Sequence, residues 1–195
     1  GPSATVNAAS PAHPTATSPA DTHSAAKHRA AAFLDRDGVL NIDSGYAHRP
    51  EHIEWVAGAF DAVRRLNDLG FFVFVVTNQA GIARGLYTEN HVRALHDWMA
   101  ATFRAQGARI DAFAYCPHHP EGDVAAYRAV CSCRKPAPGL LHDLMARYPV
   151  HRARSFMVGD RDSDMAAAAA AGVPGFLFDG GNIDAFIAGI LKASA

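Results

Sequence analysis

The sequence predicts an α/β protein, a three-layer sandwich with helices on both faces of a mainly parallel sheet. Three observations predict it. Five short apolar runs alternate with segments of helical period, an alternation that implies parallel strands joined by crossover helices. Phe71–Val76 is apolar at every position rather than at every second one, as in a strand buried on both faces. Three of the runs stop at polar residues, Asp35/Asp37, Thr77/Asn78 and Asp160, and open α/β sheets gather ligands at the carboxyl ends of their strands.

Residues 1–30 are rich in Ala, Pro, Ser and Thr, with almost no large apolar side chain. They cannot bury enough surface to offset their ordering entropy, so a disordered tail is expected there and a folded domain over 31–195. Gly1-Pro2-Ser3 reads as an expression remnant, and the tail lacks the continuous apolar core of a secretory signal. Ala31–Leu34 is the first strand. The stretch Val39–Val56, with Asp43-Ser44-Gly45-Tyr46, is a loop long enough to have a function. Ala59, Val63 and Leu66 keep helical spacing within a helix over 58–69, and Gly70 stops it. Phe71–Val76 is the second strand, followed by Thr77-Asn78-Gln79-Ala80-Gly81.

Thr88 is the N-cap of a long helix to about Gln106. Val92, Leu95, Met99 and Phe103 form its buried stripe, and Gly107 closes it. His96 and Trp98 on this helix are expected to be packing and surface residues rather than ligands. Ile110–Tyr115 is the third strand, and Cys116–Pro136 is an insertion poor in apolar residues. Pro138 suits the first turn of a helix marked by Leu140, Leu141, Leu144 and Met145. Ser155–Val158 is the fourth strand, Asp162–Ala171 an alanine-rich helix closed by Gly172, and Gly175–Phe178 the fifth strand. Asn182 caps a last helix whose apolar face is Ile183, Phe186, Ile187, Ile190 and Leu191.

The 195 residues suffice for one domain with a substantial core. A net charge of −1 with 19% charged residues marks neither a nucleic-acid nor a membrane surface. No apolar run approaches the roughly 20 residues of a membrane span. The three cysteines, Cys116, Cys131 and Cys133, are odd in number and confined to one segment. That is not a secreted disulfide framework; it fits a reducing, cytoplasmic compartment with the sulfurs on a metal.

Asp35 and Asp37 lie two apart after the first strand, so in extended backbone they share a side. Two neighbouring anions repel, and hard oxygen ligands around a small cation suggest Mg²⁺. Alone, an Asp-x-Asp-Gly stretch is equally a polar turn. Gly159-Asp160-Arg161-Asp162-Ser163-Asp164 supplies further carboxylates after the fourth strand. Asp160, at the strand end, is the preferred metal ligand, whereas Asp162 suits a helix N-terminus. Lys135 alone would be a solvated charge. Beside three carboxylates and Mg²⁺ it is what a phosphoryl group needs for charge balance. Cys116-Pro117-His118-His119 and Cys131-Ser132-Cys133 offer three thiolates and an imidazole, the donor set of a closed, structural zinc site. Three ordinary buried cysteines are the alternative, but the segment lacks the apolar residues to bury them.

Asp35-x-Asp37-Gly38, Thr77-Asn78, Lys135 and Gly159-Asp160-x-x-x-Asp164, in this order, resemble the motifs of the haloacid dehalogenase-like phosphatases over Phe33 to about Phe178. The resemblance implies a Rossmann-like three-layer sandwich without a large cap domain. It implies that Asp35 is the nucleophile that forms an aspartyl-phosphate and that Asp37 is the general acid and then the base. Thr77 and Lys135 would hold phosphoryl oxygens. Asp35, Asp160 and the backbone carbonyl of Asp37 would bind Mg²⁺, with Asp164 orienting Lys135 or the metal's waters.

The zinc loop at 116–133, followed by Arg134-Lys135-Pro136, narrows the resemblance to the D-glycero-D-manno-heptose 1,7-bisphosphate 7-phosphatases and the histidinol-phosphate phosphatases. The long interval from His118 to Cys131 and the stretch Cys-Pro-His-His-Pro-Glu-Gly fit the heptose enzymes. On that pattern Cys116, His118, Cys131 and Cys133 bind Zn²⁺ and His119 is a bystander. Arg134 would recognise the rest of the substrate. Asp43, Ser44, Gly45 and Tyr46 align with the substrate loop, and Thr77, Asn78, Gln79 and Ala80 with a second substrate-binding segment. The implied reaction is removal of the C7 phosphate from a heptose bisphosphate, in nucleotide-activated heptose biosynthesis, by a monomer with no nucleic-acid or membrane partner. Histidinol phosphate or another small sugar phosphate is the alternative substrate. A non-catalytic zinc-bearing module is the alternative class, but a decayed site should have lost some of these charged positions.

Overall fold

The computed structural model describes residues 27–195. Five strands, β1 (Ala31–Leu34), β2 (Phe72–Asn78), β3 (Ala112–Cys116), β4 (Phe156–Gly159) and β5 (Gly175–Leu177), form one parallel sheet in the order β3-β2-β1-β4-β5. Five helices cover it: α1 (Ala59–Asp68), α2 (Glu89–Ala105), α3 (Gly139–Arg147), α4 (Asp162–Ala171) and α5 (Ile183–Ala193).

The two-sided burial expected of the central strands holds. Ala32 and Leu34 of β1 and Val73 and Val75 of β2 pack with α1, α5 and Phe103 of α2. Ala31 and Phe33, with Phe72, Phe74 and Val76, pack against α3 and α4 on the other face. Alternate side chains of each strand thus enter two separate cores, which fixes three layers. The alanines of α4 let that helix lie close to the sheet, with Ala167, Ala168 and Ala171 buried. The predicted caps are in place: Thr88 Oγ1 accepts from the His91 amide at 3.3 Å, and Asn182 Oδ1 from the Ala185 amide at 3.1 Å.

Several boundaries differ from the sequence-based expectation by one or two residues, and two of the shifts bear on the site or have a visible cause. β2 runs on to Asn78, so Thr77 and Asn78 are ladder residues paired with Tyr115 and Cys116. β3 starts at Ala112 rather than Ile110, because the Asp111 carboxylate accepts the Val73 amide at 2.8 Å and stands in for a ladder bond.

Most of the expected tail, residues 1–26, lies outside the described residues. The folded unit begins before Ala31. The Arg29 amide donates to Pro149 O at 2.9 Å, and Arg29 O accepts from the His151 amide at 2.7 Å. The Arg29 guanidinium donates to Gly70 O at 2.8 Å and lies 4.0 Å over the Phe72 ring. On composition residues 1–26 have little to pack, so their deletion is expected to leave the melting temperature unchanged, while deletion of 1–30 also removes the Arg29 contacts and lowers it by a few degrees, about 2–4 °C per kcal/mol lost. Thermal unfolding of the two truncations checks this; equal melting points would remove any contribution from Arg29.

Candidate active site

The polar residues at the strand ends meet at the carboxyl edge of the sheet. The Asp35 amide still bonds Val158 O at 3.0 Å, which carries the β1–β4 ladder one residue past β1 and seats Asp35 at the edge. The chain then turns tightly, with Arg36 O accepting from the amides of Val39, Leu40 and Asn41. Asp35 and Asp37 line the same cleft of about 760 Å³.

Lys135 enters from a segment a hundred residues away. Its buried Nζ lies 2.9 Å from Asp35 Oδ1, 2.6 Å from Asp164 Oδ1 and 3.0 Å from Val76 O. Its backbone is pinned to the end of β2 by a reciprocal pair: Lys135 N donates to Asn78 Oδ1 at 3.0 Å, and Asn78 Nδ2 donates to Lys135 O at 3.1 Å. The Asn78 amide, expected on the substrate, thus holds the lysine segment to the sheet. Asp164 Oδ2 accepts from the Asp160 and Arg161 amides at 3.1 and 3.2 Å, which ties the start of α4 to the end of β4.

Carboxylate oxygens of Asp35, Asp160 and Asp164 lie within 4.8 Å of one another. The Asp37 side chain is not part of that group. It accepts instead from Arg36, from Asn41 Nδ2 at 2.9 Å and from Gln79 Nε2 at 3.4 Å. Three clustered carboxylates against one lysine leave a net negative charge. Burial pushes the Asp35 carboxyl up to about 8 despite Lys135, and burial also raises Asp160. Asp160 Oδ1 is buried and finds no hydrogen-bond donor among the described residues. An all-oxygen pocket with surplus negative charge and an orphaned carboxylate oxygen fits a hard divalent cation. Gly38, with φ of 88°, closes over this group: a Cβ there would collide with the Asp160 carboxylate.

Of the expected substrate residues, Asp43, Gly45, Tyr46, Thr77, Asn78, Gln79, Ala80 and Arg134 line the cleft, and Ser44 does not. Gln79 is buried and bound on both sides, accepting from Tyr87 OH at 2.5 Å and donating to Thr77 Oγ1 at 2.9 Å. Arg134 Nη1 is buried without an acceptor among the described residues. Arg84, Tyr87, Arg161 and Ser163 also line the cleft, and the motif reading missed them. Arg161 and Ser163 carried a signal, their place within the stretch Gly159–Asp164; Arg161 donates to Asp43 Oδ2 at 3.2 Å and ties the loop after β1 to α4.

Cys116, His118, Cys131 and Cys133 come together beside the cleft. Sγ of Cys116 lies 3.5 Å from Cys131 and 2.8 Å from Cys133, and His118 Nδ1 lies 3.7 and 3.4 Å from Cys116 and Cys133. Thiolates about 2.3 Å from a shared tetrahedral zinc ion would stand roughly 3.8 Å apart; the two separations of 3.5 Å from Cys131 come near that size and the Cys116–Cys133 one is shorter. The cluster is not wholly in an insertion, as the sequence suggested: Cys116 is the last residue of β3 and anchors it to the sheet. His119 is outside the cluster, its Nδ1 accepting from the Glu121 amide at 3.0 Å.

Two buried side chains beside the cleft were not foreseen as a pair. Arg36 is fully buried, and His96, expected at the surface or in packing, is buried against it with Nε2 at 3.1 Å from Arg36 Nη1. Burial and the Arg36 charge push His96 down to about 3.

The HAD-hydrolase-like family model matches residues 132–186. The chain is 51% identical over 166 residues to the D-glycero-β-D-manno-heptose-1,7-bisphosphate 7-phosphatase of Rhodopseudomonas palustris, covering 85% of this chain and 92% of that one. The protein of the same name from Escherichia coli K12 is 47% identical over 148 residues, 76% of this chain and 78% of that one. Among solved structures, the D,D-heptose 1,7-bisphosphate phosphatase of B. bronchiseptica, complexed with magnesium and phosphate, superposes with a TM-score of 0.72 at 32% identity, over 84% of this chain and 99% of that one.

Proposed function

The chain belongs to the D-glycero-β-D-manno-heptose-1,7-bisphosphate 7-phosphatase family of HAD-like hydrolases, and from this premise we propose that it hydrolyses the C7 phosphate of the β-anomer of that bisphosphate to leave the heptose 1-phosphate. The observation that carries the reading is the buried Lys135 between Asp35 and Asp164, with the unsatisfied Asp160 beside them. That is one fixed cation and one cation-seeking carboxylate set around the attacking carboxylate.

Asp35 attacks phosphorus. The bond from phosphorus to the sugar oxygen breaks, and that oxygen takes its proton from Asp37. Water, deprotonated by Asp37, then attacks the aspartyl-phosphate, releasing phosphate and restoring Asp35. Lys135 and Thr77 hold the phosphoryl oxygens, where fixed positive charge and donors act on charge that develops in the transition state. Asp35, Asp160 and the Asp37 backbone carbonyl would hold Mg²⁺, and Asp164 orients Lys135. When bound, the cation neutralises the repulsion between the phosphate and the carboxylates. Asp43, Gly45, Tyr46, Asn78, Gln79 and Ala80 border the sugar, and Arg134 takes the distal phosphate. The substrate is a small molecule, and the chain acts as a cytoplasmic monomer. Among the described residues no helix is long and apolar enough to cross a membrane.

Initial rates of phosphate release from both heptose bisphosphate anomers and from histidinol phosphate, each with and without Mg²⁺, test the reading. The β-anomer should give the highest kcat/KM, with turnover requiring Mg²⁺. Preference for histidinol phosphate would overturn the substrate assignment.

Cys116, His118, Cys131 and Cys133 hold one Zn²⁺ per chain in this reading, and the metal acts by fixing Arg134. Cys133 is bonded directly to Arg134, and Cys131 Sγ accepts the Arg134 amide at 3.3 Å. Cys131→Ser is expected to raise KM for the bisphosphate about tenfold, or ~1.4 kcal/mol, with kcat nearly unchanged. Elemental analysis of protein purified without chelator should find zinc in the parent and less in the variant. Zinc-free parent protein together with parental kinetics in Cys131→Ser would remove the claim.

A further inference from the structure

Arg36 is the largest fully buried side chain among the described residues, and no step above uses it. Its Nε and Nη2 lie 3.2 and 3.1 Å from Asp37 Oδ1, and Nη2 lies 3.3 Å from Oδ2. Nη2 also donates to Ala47 O at 2.8 Å, and Nη1 meets His96 Nε2 at 3.1 Å. A guanidinium has no lone pair, so His96 Nε2 is the acceptor and the ring is a neutral imidazole with its proton on Nδ1. The imidazole lies flat on Phe113, centroids 4.5 Å apart, in the packed face of α2. Burying a charge is tolerated only where acceptors satisfy it, and here they come from three places: Asp37, the loop after β1, and α2.

We propose that Arg36, held by His96, is a positioning residue that aims the Asp37 carboxyl group at the leaving oxygen and stabilises the carboxylate left once its proton has gone. The inference rests on the reading of Asp37 as general acid. In the first half-reaction the bond from Asp35 to phosphorus forms, the bond from phosphorus to the sugar oxygen breaks, and the proton passes from Asp37 to that oxygen. Asp37 is left as a carboxylate. The N–H groups of Arg36, with Asn41 Nδ2 at 2.9 Å and Gln79 Nε2 at 3.4 Å, already point at it. Charge-assisted bonds of this kind strengthen as the acceptor becomes anionic. Through Ala47 the same guanidinium is tied to the loop that carries Asp43–Tyr46, so the acid and the substrate loop share one anchor.

A sugar alkoxide is a poor leaving group and needs the proton; p-nitrophenolate does not. kcat/KM in a two-step covalent mechanism reports only the steps through departure of the first product, so comparing kcat/KM for the heptose bisphosphate with that for p-nitrophenyl phosphate isolates the acid. Arg36→Lys and His96→Phe are expected to lose about 10–100-fold with the bisphosphate, part of the roughly 10²–10⁴ that general acid catalysis contributes, and about threefold or less with the aryl phosphate. His96→Gln keeps an acceptor for Nη1 and should recover most of the loss. If Arg36→Lys does not fold, His96→Phe, a ring of similar size on Phe113, carries the test. Equal losses on both substrates, or no loss on either, would make Arg36 merely structural and overturn the proposal. Asp37→Asn is run alongside. If it is selective and the Arg36 and His96 variants are not, only this inference falls. If Asp37→Asn itself loses both substrates equally, Asp37 is not the acid and the underlying reading falls with it.

Discussion

Asp35→Asn leaves no measurable turnover, in a chain at least as stable as its parent when metal-free: that is the expected result of replacing the attacking carboxyl by an amide that can neither ionise nor attack. The amide is nearly isosteric with the carboxylate and its oxygen still accepts from Lys135 Nζ, now 2.9 Å from Asp35 Oδ1. It cannot form the aspartyl-phosphate. Loss of a covalent nucleophile costs about 10⁴-fold or more in kcat. Stability should move the other way. Asp35 lies close to the Asp160 and Asp164 carboxylates, and its burial already pushes its proton affinity up. An amide there cannot ionise, so it removes a repulsion that the parent relieves only by taking up a proton or binding a cation. Kinetics and thermal melts in the presence of chelator check both halves. Turnover near the parental rate in a folded variant would sink the nucleophile assignment.

Lys135→Met is expected to damage activity and stability together. Lys135 is buried and its Nζ bridges two carboxylates at 2.9 and 2.6 Å. Removing one partner of a buried charged group strands the others, at a cost of about 3–5 kcal/mol, or a melting point lower by roughly 10 °C. Loss of one preorganised donor at the developing charge costs about 10²–10³ in kcat. Mg²⁺ should restore part of the melting point, because a cation among Asp35, Asp160 and Asp164 supplies some of the missing charge, but not the rate. An unchanged melting point in metal-free protein would mean that the Lys135 ammonium does not neutralise these carboxylates.

Strand and helix positions were legible because they rest on short-range properties. The all-apolar Phe71–Val76 run, the stripe Val92/Leu95/Met99/Phe103 and the caps Thr88 and Asn182 each express a periodicity or a single bond, and all appear in the fold. Asp35, Thr77, Lys135 and Asp160 could be picked out for a related reason: each sits at the end of an apolar run or in a recurring motif. The start of β3 was misjudged because Asp111 satisfies Val73 with its side chain, a bond that needs both strands in place.

Arg36 shows where local reading stops. An arginine between two aspartates reads as a solvated charge. It is buried because the Ala47 carbonyl, the Asp37 carboxylate and His96, sixty residues on, close around it with acceptors enough for a charge that water would otherwise have to solvate. The Asn78–Lys135 clasp is of the same kind, two reciprocal bonds between residues 57 apart. Composition and spacing are sufficient to mark which residues carry charge and which strand ends they follow. Whether a given charge faces water, a cation or another residue's lone pair depends on desolvation and on partners from distant segments, and those exist only once the sheet has been assembled.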